Sequence, residues 1–267
     1  MSHSLLPDGS IRSTTVLVAD IAGFTGFSGR LGDRIVLPFG AYFDCMSREI
    51  HAQNGTIDEF TGDAVMAFWG APNPDPDHAI DACRAALTCQ RAIRVSGLAD
   101  DSGHALRVRI GINSGSIFVG NIGSRGRLNY MVIGDTVKVA GRLESANKEY
   151  GTQIMIAEET RRLACDRVQV RELDSLAVYG RTSGLRIYEL LGIAGEGAPE
   201  PNWVTLYEAG LTAYRERKFA AAIGFFQMLL VVRERDGASR AMIERCRRLI
   251  QAPPGKDWNA TTAMDAK

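Results

Sequence analysis

Two aspartates in this 267-residue chain are placed where a metal site could form. Asp20 follows the apolar run 14–19, and Asp63 lies between two short apolar runs, each in a glycine-containing turn at a predicted strand end. If those strands are neighbours, the two carboxylates meet, and they repel unless a divalent cation lies between them. Hard oxygen ligands suit Mg²⁺ or Mn²⁺. The alternative interpretation is that both are turn or helix-cap aspartates, a common role for Asp beside Gly.

The segment after Asp20 has the composition of a phosphate-binding turn. Residues 21–25 can present backbone N–H groups at the start of a helix, where the helix dipole also favours an anion. Such a turn beside a divalent-cation site predicts a protein that binds a triphosphate.

The apolar pattern around these residues predicts strands and two long helices in the order β-α-β-β-α-β. This order is typical of a ferredoxin-like antiparallel sheet with helices on one face, followed here by an α/β arm, and the fold class is α+β. The predicted elements are a strand over 14–19, a helix over 34–53, a hairpin of 56–60 with 64–69, a helix over 79–95, a strand over 106–112 that turns at Ser114-Gly115 toward 117–119, a strand over 130–133, a helix over 134–150, and strands over 154–156, 168–173 and 185–190.

The end of the chain has a different composition. Residues 193–201 are small and proline-punctuated, as in a linker after a domain of residues 1–192. Residues 202–252 have the aromatic and small-residue spacing of one tetratricopeptide-like helical hairpin with a third helix, and 253–267 is expected to be a flexible extension. A lone repeat has no neighbouring repeat to stack on, so the tail is predicted to pack on the preceding domain or a second chain, with peptide binding as the alternative.

The overall composition excludes several classes of protein. Lys plus Arg equals Asp plus Glu at 31 each, so no net field attracts nucleic acid or an anionic membrane. The five cysteines form no C-x-x-C pair, which gives no sign of zinc or a disulfide framework. The first twelve residues do not resemble an export signal, and no apolar run approaches membrane-spanning length. A cytoplasmic protein is expected.

Four ordered segments resemble the catalytic domain of class III adenylate/guanylate cyclases, over residues 12–192. The tail is also similar to the helical extension of many bacterial members, including its Asp257-Trp258. The segments are Ala19-Asp-Ile-Ala-Gly-Phe-Thr25, Asn54-Gly-Thr-Ile-Asp-Glu-Phe-Thr-Gly-Asp-Ala-Val-Met-Ala-Phe-Trp-Gly-Ala-Pro72, Val108-Arg-Ile-Gly-Ile-Asn-Ser-Gly115 and Tyr130-Met-Val-Ile-Gly-Asp-Thr-Val-Lys-Val-Ala-Gly-Arg-Leu-Glu144.

The resemblance implies conversion of a nucleoside triphosphate to its 3′,5′-cyclic monophosphate and pyrophosphate in a homodimer with shared active sites. Asp20 and Asp63 would bind two Mg²⁺ or Mn²⁺ ions, with Ile21 as a further ligand, and Arg142 would stabilise the transition state. The alternatives are that Arg142 is a solvated helix residue and that Arg109 is an outward-facing strand residue. The positions that match phosphate contacts in the family are Gly23, Phe24, Thr25, Arg109 and Tyr179.

The family's two base-selecting positions fall on Glu59 and Met131. A carboxylate accepts hydrogen bonds, so Glu59 favours guanine N1–H, uracil N3–H or an exocyclic amino group such as that of cytosine, and Met131 offers adenine no useful partner. The size of Met131 suits a single-ring base, unless it merely packs beside a purine. UTP is the predicted substrate, GTP is the alternative, and ATP is less favoured.

Two other positions depart from the family pattern. Lys138 replaces the asparagine that orients the ribose, and Tyr179 replaces a phosphate-binding lysine. Lys138 could restore the cation lost at Tyr179 and act in catalysis, or both changes could mark an inactive nucleotide-binding dimerisation module. Altered base and ribose contacts with intact metal ligands resemble the general character of the bacterial pyrimidine cyclases of anti-phage signalling. The sequence identifies no downstream effector.

Overall fold

The computed structural model describes residues 9–24, 36–99, 103–124, 127–177, 184–197 and 201–263. None of the helices in these ranges is both long and apolar enough to cross a membrane. The strands are β1 (Gly9–Ile21), β2 (Thr56–Thr61), β3 (Ala64–Trp69), β4 (Val108–Ser124), β5 (Arg127–Ile133), β6 (Ile154–Ala157), β7 (Val168–Ala177), β8 (Leu185–Ile193) and β9 (Thr262–Ala263). The helices with both ends described are α1 (Val36–Ala52), α2 (His78–Val95), α3 (Asp135–Tyr150), α4 (Glu158–Ala164), α5 (Trp203–Arg215), α6 (Phe219–Val232) and α7 (Gly237–Gln251).

The strands form one sheet in the order β2-β3-β1-β4-β6-β8-β7-β9, with β5 paired to β4 outside this order. The pairs β4–β6 and β7–β9 are parallel, and the other pairs are antiparallel. The first four strands, with α1 and α2, follow the predicted β-α-β-β-α-β order. Both helices pack in one buried cluster against the same face of the sheet. The α+β class and the ferredoxin-like core are therefore confirmed.

Helix α3 covers the opposite face of the sheet, directly on β4. Gly111 of β4 permits this contact, because a Cβ there would lie 2.1 Å from the Ala140 carbonyl oxygen and 2.2 Å from the Glu144 amide nitrogen. No larger residue fits between the strand and the helix without moving one of them. The backbone contact therefore fixes α3, which carries Lys138 and Arg142, close to the sheet.

The predicted turn at Ser114-Gly115 is wrong, because β4 runs unbroken through both residues. Gly115 lies opposite Thr14 of β1, and the absence of a side chain leaves room for the Thr136 hydroxyl, which would lie 2.9 Å from a Cβ at this position. Ser114 Oγ is hydrogen bonded to Thr15 Oγ1 at 2.7 Å, so its polar group is satisfied inside the sheet. The two small residues serve close packing, and the chain reverses only later, between β4 and β5.

The end of the chain packs on the sheet. Apolar side chains of α5, α6 and α7 share one buried cluster with α3, β6, β7 and β8, which agrees with the packing alternative, while the likeness to a tetratricopeptide repeat stays a prediction. The extension over residues 253–267 was expected to be flexible, but its described residues are packed against the rest of the chain. Trp258 packs on the rings of Tyr214 and Phe219, with centroids 5.2 and 5.6 Å apart, and β9 pairs with β7.

Candidate active site

Asp20 and Asp63 meet at one end of the sheet. Asp20 is the penultimate residue of β1, and Asp63 lies in the short turn between β2 and β3. Strand β3 pairs with β1, which brings this turn to the end of β1. The backbone N–H of Ile21 donates to Asp63 Oδ2 at 3.2 Å, and the Asp63 carboxyl is also within hydrogen-bonding reach of Asp20. The structure thus brings together the two carboxylates that the sequence singled out.

The proximity of these carboxylates makes the fully ionised pair unfavourable. Burial, and then the neighbouring Asp20, raises the pKa of Asp63 to about 7. A divalent cation would offset the same repulsion, and the carboxylate oxygens suit Mg²⁺ or Mn²⁺. Within the described ranges, no group of three or more His, Cys, Asp or Glu side chains is positioned to hold a metal. The two aspartates fit such ions only together with other oxygen ligands, for which the Ile21 carbonyl, water and substrate phosphates are the candidates.

Arg109 lies beside Asp20 and connects it to α3. The two residues are opposite each other in the β1–β4 pairing. The Arg109 guanidinium donates to Asp20 Oδ2 at 3.3 Å and, through Nε, to Glu144 Oε1 at 2.7 Å. Glu144 is buried, and Ser145 Oγ donates to its other carboxylate oxygen at 3.0 Å. In this structure Arg109 is therefore held by two carboxylates, and a bound phosphate would have to share or replace one of these contacts.

The two candidate base-selecting residues lie on strands that approach each other. Glu59 is exposed on β2, and Met131 is half-buried on β5 opposite Gly120 of β4. Strand β5 folds back over the sheet and reaches β2. The ring of Tyr130 on β5 packs on Phe68 of β3, with centroids 6.3 Å apart. Glu59 and Met131 therefore border the same region of the sheet.

Lys138 and Arg142 are both exposed on α3. The Lys138 Nζ donates to Asp135 Oδ1 at 3.0 Å, an ion pair at the helix start in which both side chains are well exposed. Such an exposed pair constrains a side chain only weakly. Both cations are therefore accessible to a second chain.

Two backbone N–H groups of the predicted phosphate-binding turn already donate hydrogen bonds within the protein. The N–H of Ile21 is bonded to Asp63, and the N–H of Ala22 donates to the Arg107 carbonyl at 2.8 Å. Gly23 is exposed and has a φ of 80°, in the left-handed region that favours glycine. The Phe24 ring packs on Phe39 with centroids 4.8 Å apart. Thr25 and Tyr179 lie outside the described residues.

Three residues near these positions were not singled out from the sequence. Glu144 was quoted only as the end of a motif, and its pairing with Arg109 depends on the packing of α3. Asp58, next to Glu59, is half-buried, and burial followed by the Glu59 charge raises its pKa to about 6. Tyr42 is fully buried on α1, and its hydroxyl has no hydrogen-bond partner among the described residues. Burial, followed by the charge of Asp20, raises the pKa of Tyr42 well above its ordinary value. Its ring fits the apolar pattern of a core helix, so no signal in the sequence distinguishes it from a core residue.

The chain is similar to known proteins of one family. Residues 7–192 match the family model described as the adenylate and guanylate cyclase catalytic domain. Adenylate cyclase 1 of Rhizobium meliloti is 38% identical over 190 residues, which cover 68% of this chain and 28% of that protein. The chain therefore spans less than a third of the length of this relative.

Two solved structures have the same fold. The guanylyl cyclase Cya2 is 33% identical with a TM-score of 0.65, over 72% of this chain and 98% of that chain. The adenylyl cyclase CyaB from P. aeruginosa is 29% identical with a TM-score of 0.61, over 73% of this chain and 100% of that chain. The family model covers more than half of the chain, and it includes Asp20, Asp63, Arg109 and Arg142. The chain belongs to the adenylate and guanylate cyclase catalytic domain family.

Proposed function

We propose that this protein is a nucleotidyl cyclase that converts a nucleoside triphosphate to its 3′,5′-cyclic monophosphate and pyrophosphate. The observation that carries the proposal is the meeting of Asp20 and Asp63 at the end of β1, beside Arg109, in a chain of the cyclase family. In this reaction the ribose 3′-oxygen bonds to the α-phosphorus, and the bond from that phosphorus to the pyrophosphate oxygen breaks. The hydroxyl proton passes to water.

Asp20, Asp63 and the carbonyl of Ile21 would hold two Mg²⁺ or Mn²⁺ ions. Such ions, when bound, lower the pKa of the 3′-hydroxyl and neutralise phosphate charge. Arg109 already lies 3.3 Å from Asp20, so its guanidinium can turn from that carboxylate to a phosphate oxygen. Gly23, Phe24 and Thr25 are the candidates to hold the phosphates through backbone N–H groups.

We further propose that two copies of the chain share each active site. Arg142 and Lys138 are exposed on α3. Among the described residues of their own chain, neither side chain has a contact with Asp20 or its neighbours, and Lys138 pairs with Asp135 instead. In a symmetric dimer, Arg142 of a second copy could stabilise the charge that develops on the α-phosphoryl group. This arrangement makes a lone chain an incomplete enzyme.

For the base of the substrate, we propose a pyrimidine, with UTP as the first candidate. The alternative is a purine substrate, GTP. Glu59 is an exposed acceptor on β2 that suits an N–H edge of uracil or guanine. Met131 occupies volume on β5 without a hydrogen-bonding group, which favours the smaller ring. The names of two relatives, both called adenylate cyclase, argue for ATP instead. We propose a role in anti-phage signalling only as part of the pyrimidine proposal, and a result that rejects the pyrimidine substrate also rejects this role.

The test is incubation of the purified protein with each of the four nucleoside triphosphates and Mn²⁺, followed by mass spectrometry of the products. Cyclic UMP as the main product is the expected result. Cyclic GMP or cyclic AMP would support cyclase activity and reject the pyrimidine assignment. The absence of any cyclic nucleotide would reject the proposed function in favour of a silent nucleotide-binding dimerisation module.

A further inference from the structure

A buried polar cluster joins the tail to the candidate catalytic domain. At its centre is Asp174 of β7, which is 1% exposed. Its Oδ2 accepts hydrogen bonds from Tyr150 Oη at 2.6 Å, from Thr262 Oγ1 at 2.8 Å and from the Arg245 guanidinium. These donors come from α3, β9 and α7, so one carboxylate connects the domain to two separate parts of the tail.

Arg245 makes the largest share of these contacts. Its guanidinium donates to Thr262 Oγ1 at 2.7 Å, to Glu149 Oε1 at 3.2 Å and to Tyr150 Oη at 3.3 Å, in addition to Asp174. A buried charge of this kind is favourable only while its partners stay in place. Arg245 therefore links α7 to the last turn of α3 and to β7 at the same time.

Two glycines bring α7 against the end of α3. A Cβ on Gly237 would lie 2.7 Å from the Tyr150 carbonyl oxygen and 2.9 Å from the Gly151 Cα. Gly151 is the left-handed residue that ends α3, with a φ of 65°. The backbones of the tail and of α3 thus touch, which suits a rigid connection better than a hinge.

The same helix also carries Glu144 and Arg142, the two residues with proposed links to the active site. Glu144, which holds Arg109 at 2.7 Å, lies about 9 Å along the axis from Tyr150, and Arg142 lies about 12 Å away. Near its middle, α3 rests on Gly111 with backbone contact. A shift of the C-terminal end of α3 would tilt the helix and disturb this contact, which includes the backbone of Glu144. It would thereby change how the Glu144 side chain meets Arg109 and where Arg142 projects.

We propose that Arg245 is a positioning residue for catalysis: by joining the end of α3 to Asp174 of β7, it holds the helix in the orientation that aligns Arg142 and the Glu144–Arg109 pair. This inference rests on the proposed cyclase activity. The tail is then a required part of the enzyme, although it lies outside the residues that match the family model. Misplacement of catalytic groups by about 1 Å can lower rates on the order of 100-fold.

The test compares Arg245→Met with Arg247→Met in the full-length protein. Arg247 is on the same helix but exposed, and its ion pair with Glu244 at 3.9 Å is also exposed, so its replacement is a matched control. For Arg245→Met we expect kcat to fall at least about tenfold, with KM for the triphosphate changed much less. Arg245→Lys keeps the charge without the fork of donors and should recover part of kcat. All rates are taken per folded molecule, well below the unfolding midpoint.

Two milder variants and a second measurement keep the proposal testable if Arg245→Met does not fold. Tyr150→Phe removes one hydroxyl from the cluster and should lower kcat in the same direction with the fold intact. Hydrogen exchange of the α3 amides should quicken in Tyr150→Phe and in Arg245→Lys, and should stay unchanged in Arg247→Met.

Wild-type kcat in both Arg245→Lys and Tyr150→Phe would overturn the proposal, as would a loss in Arg245→Met explained fully by the unfolded fraction. If the wild-type protein makes no cyclic nucleotide, the proposed function fails instead. The hydrogen-exchange comparison would still decide whether Arg245 holds α3.

Discussion

The backbone N–H of Ile21 donates a 3.2 Å hydrogen bond to Oδ2 of Asp63, which lies 42 residues later in the chain. Because Asp20 precedes Ile21, this bond ties the second aspartate to the end of the strand that carries the first. The protein's own hydrogen bonding therefore positions the pair, which favours a preorganised metal site.

Replacement of Asp63 by Asn should nearly abolish turnover without disrupting the proposed dimer, because it removes a proposed anionic metal ligand from a surface turn. We expect a loss on the order of 1,000-fold in kcat/KM, the size of several kcal/mol of lost transition-state stabilisation. The measurement is the initial rate with Mn²⁺, beside size-exclusion chromatography. Asp166→Asn is the matched control, since that side chain is fully exposed. Activity retained in Asp63→Asn would remove this residue from the metal site.

Metal binding should release a proton below neutral pH. Burial and Asp20 raise the pKa of Asp63 to about 7 in the folded protein, above the value near 3.9 of an unfolded chain. The folded state therefore binds more protons than the unfolded state between these values, and the metal-free protein loses stability as pH rises through this window. A cation that requires the ionised carboxylate displaces the proton, so apparent Mn²⁺ affinity should rise with pH up to about 7.

Calorimetry of Mn²⁺ binding in two buffers of different ionisation enthalpy measures this proton. We expect release of close to one proton at about pH 6 and much less at about pH 8. In Asp63→Asn the pH-dependent release should vanish. Release that is equal at both pH values would show that Asp63 is already ionised in the metal-free protein.

Glu59→Lys should change the preferred base without a uniform loss of activity. The substitution replaces an acceptor with a donor, which disfavours the N–H edge of uracil or guanine and favours adenine. We expect the ratio of kcat/KM for ATP over UTP to rise by about 10- to 100-fold. Glu49→Lys, on α1, is a control for the charge change. Equal losses with all four bases would show that Glu59 does not contact the base.

Two inactive variants should restore activity when mixed. If Asp63 of one chain and Arg142 of another form each site, a dimer of Asp63→Asn with Arg142→Ala has one intact site. Random exchange of subunits makes half of the dimers mixed, so activity should return to about a quarter of the wild-type value. The assay is a mixing experiment after reversible dissociation. No recovery, in mixtures shown to contain mixed dimers, would place both residues in one chain's site.

The sequence predicted the elements that position the aspartates, because strand and helix periodicity are local properties. The strand after Ala105 was misjudged at Ser114-Gly115, where glycine serves the approach of Thr136 rather than a turn. That function depends on α3, which is distant in sequence. Local patterns cannot reveal such a contact.

The contacts of the site were harder to predict than its residues. Asp20 faces Arg109 only because β1 and β4 pair in one particular register, and Glu144 reaches Arg109 only because α3 rests on Gly111. The buried cluster of Tyr150, Asp174 and Arg245 combines three segments far apart in the chain. No single segment carries a sign of it.

The most direct test of the central claim is anomalous X-ray diffraction from crystals grown with Mn²⁺ and a non-reacting triphosphate analogue. We expect two Mn²⁺ peaks, both in contact with Asp20 and Asp63 and bridging to the analogue's phosphates. Mn²⁺ bound elsewhere, or in contact with neither carboxylate while the analogue is present, would contradict the account.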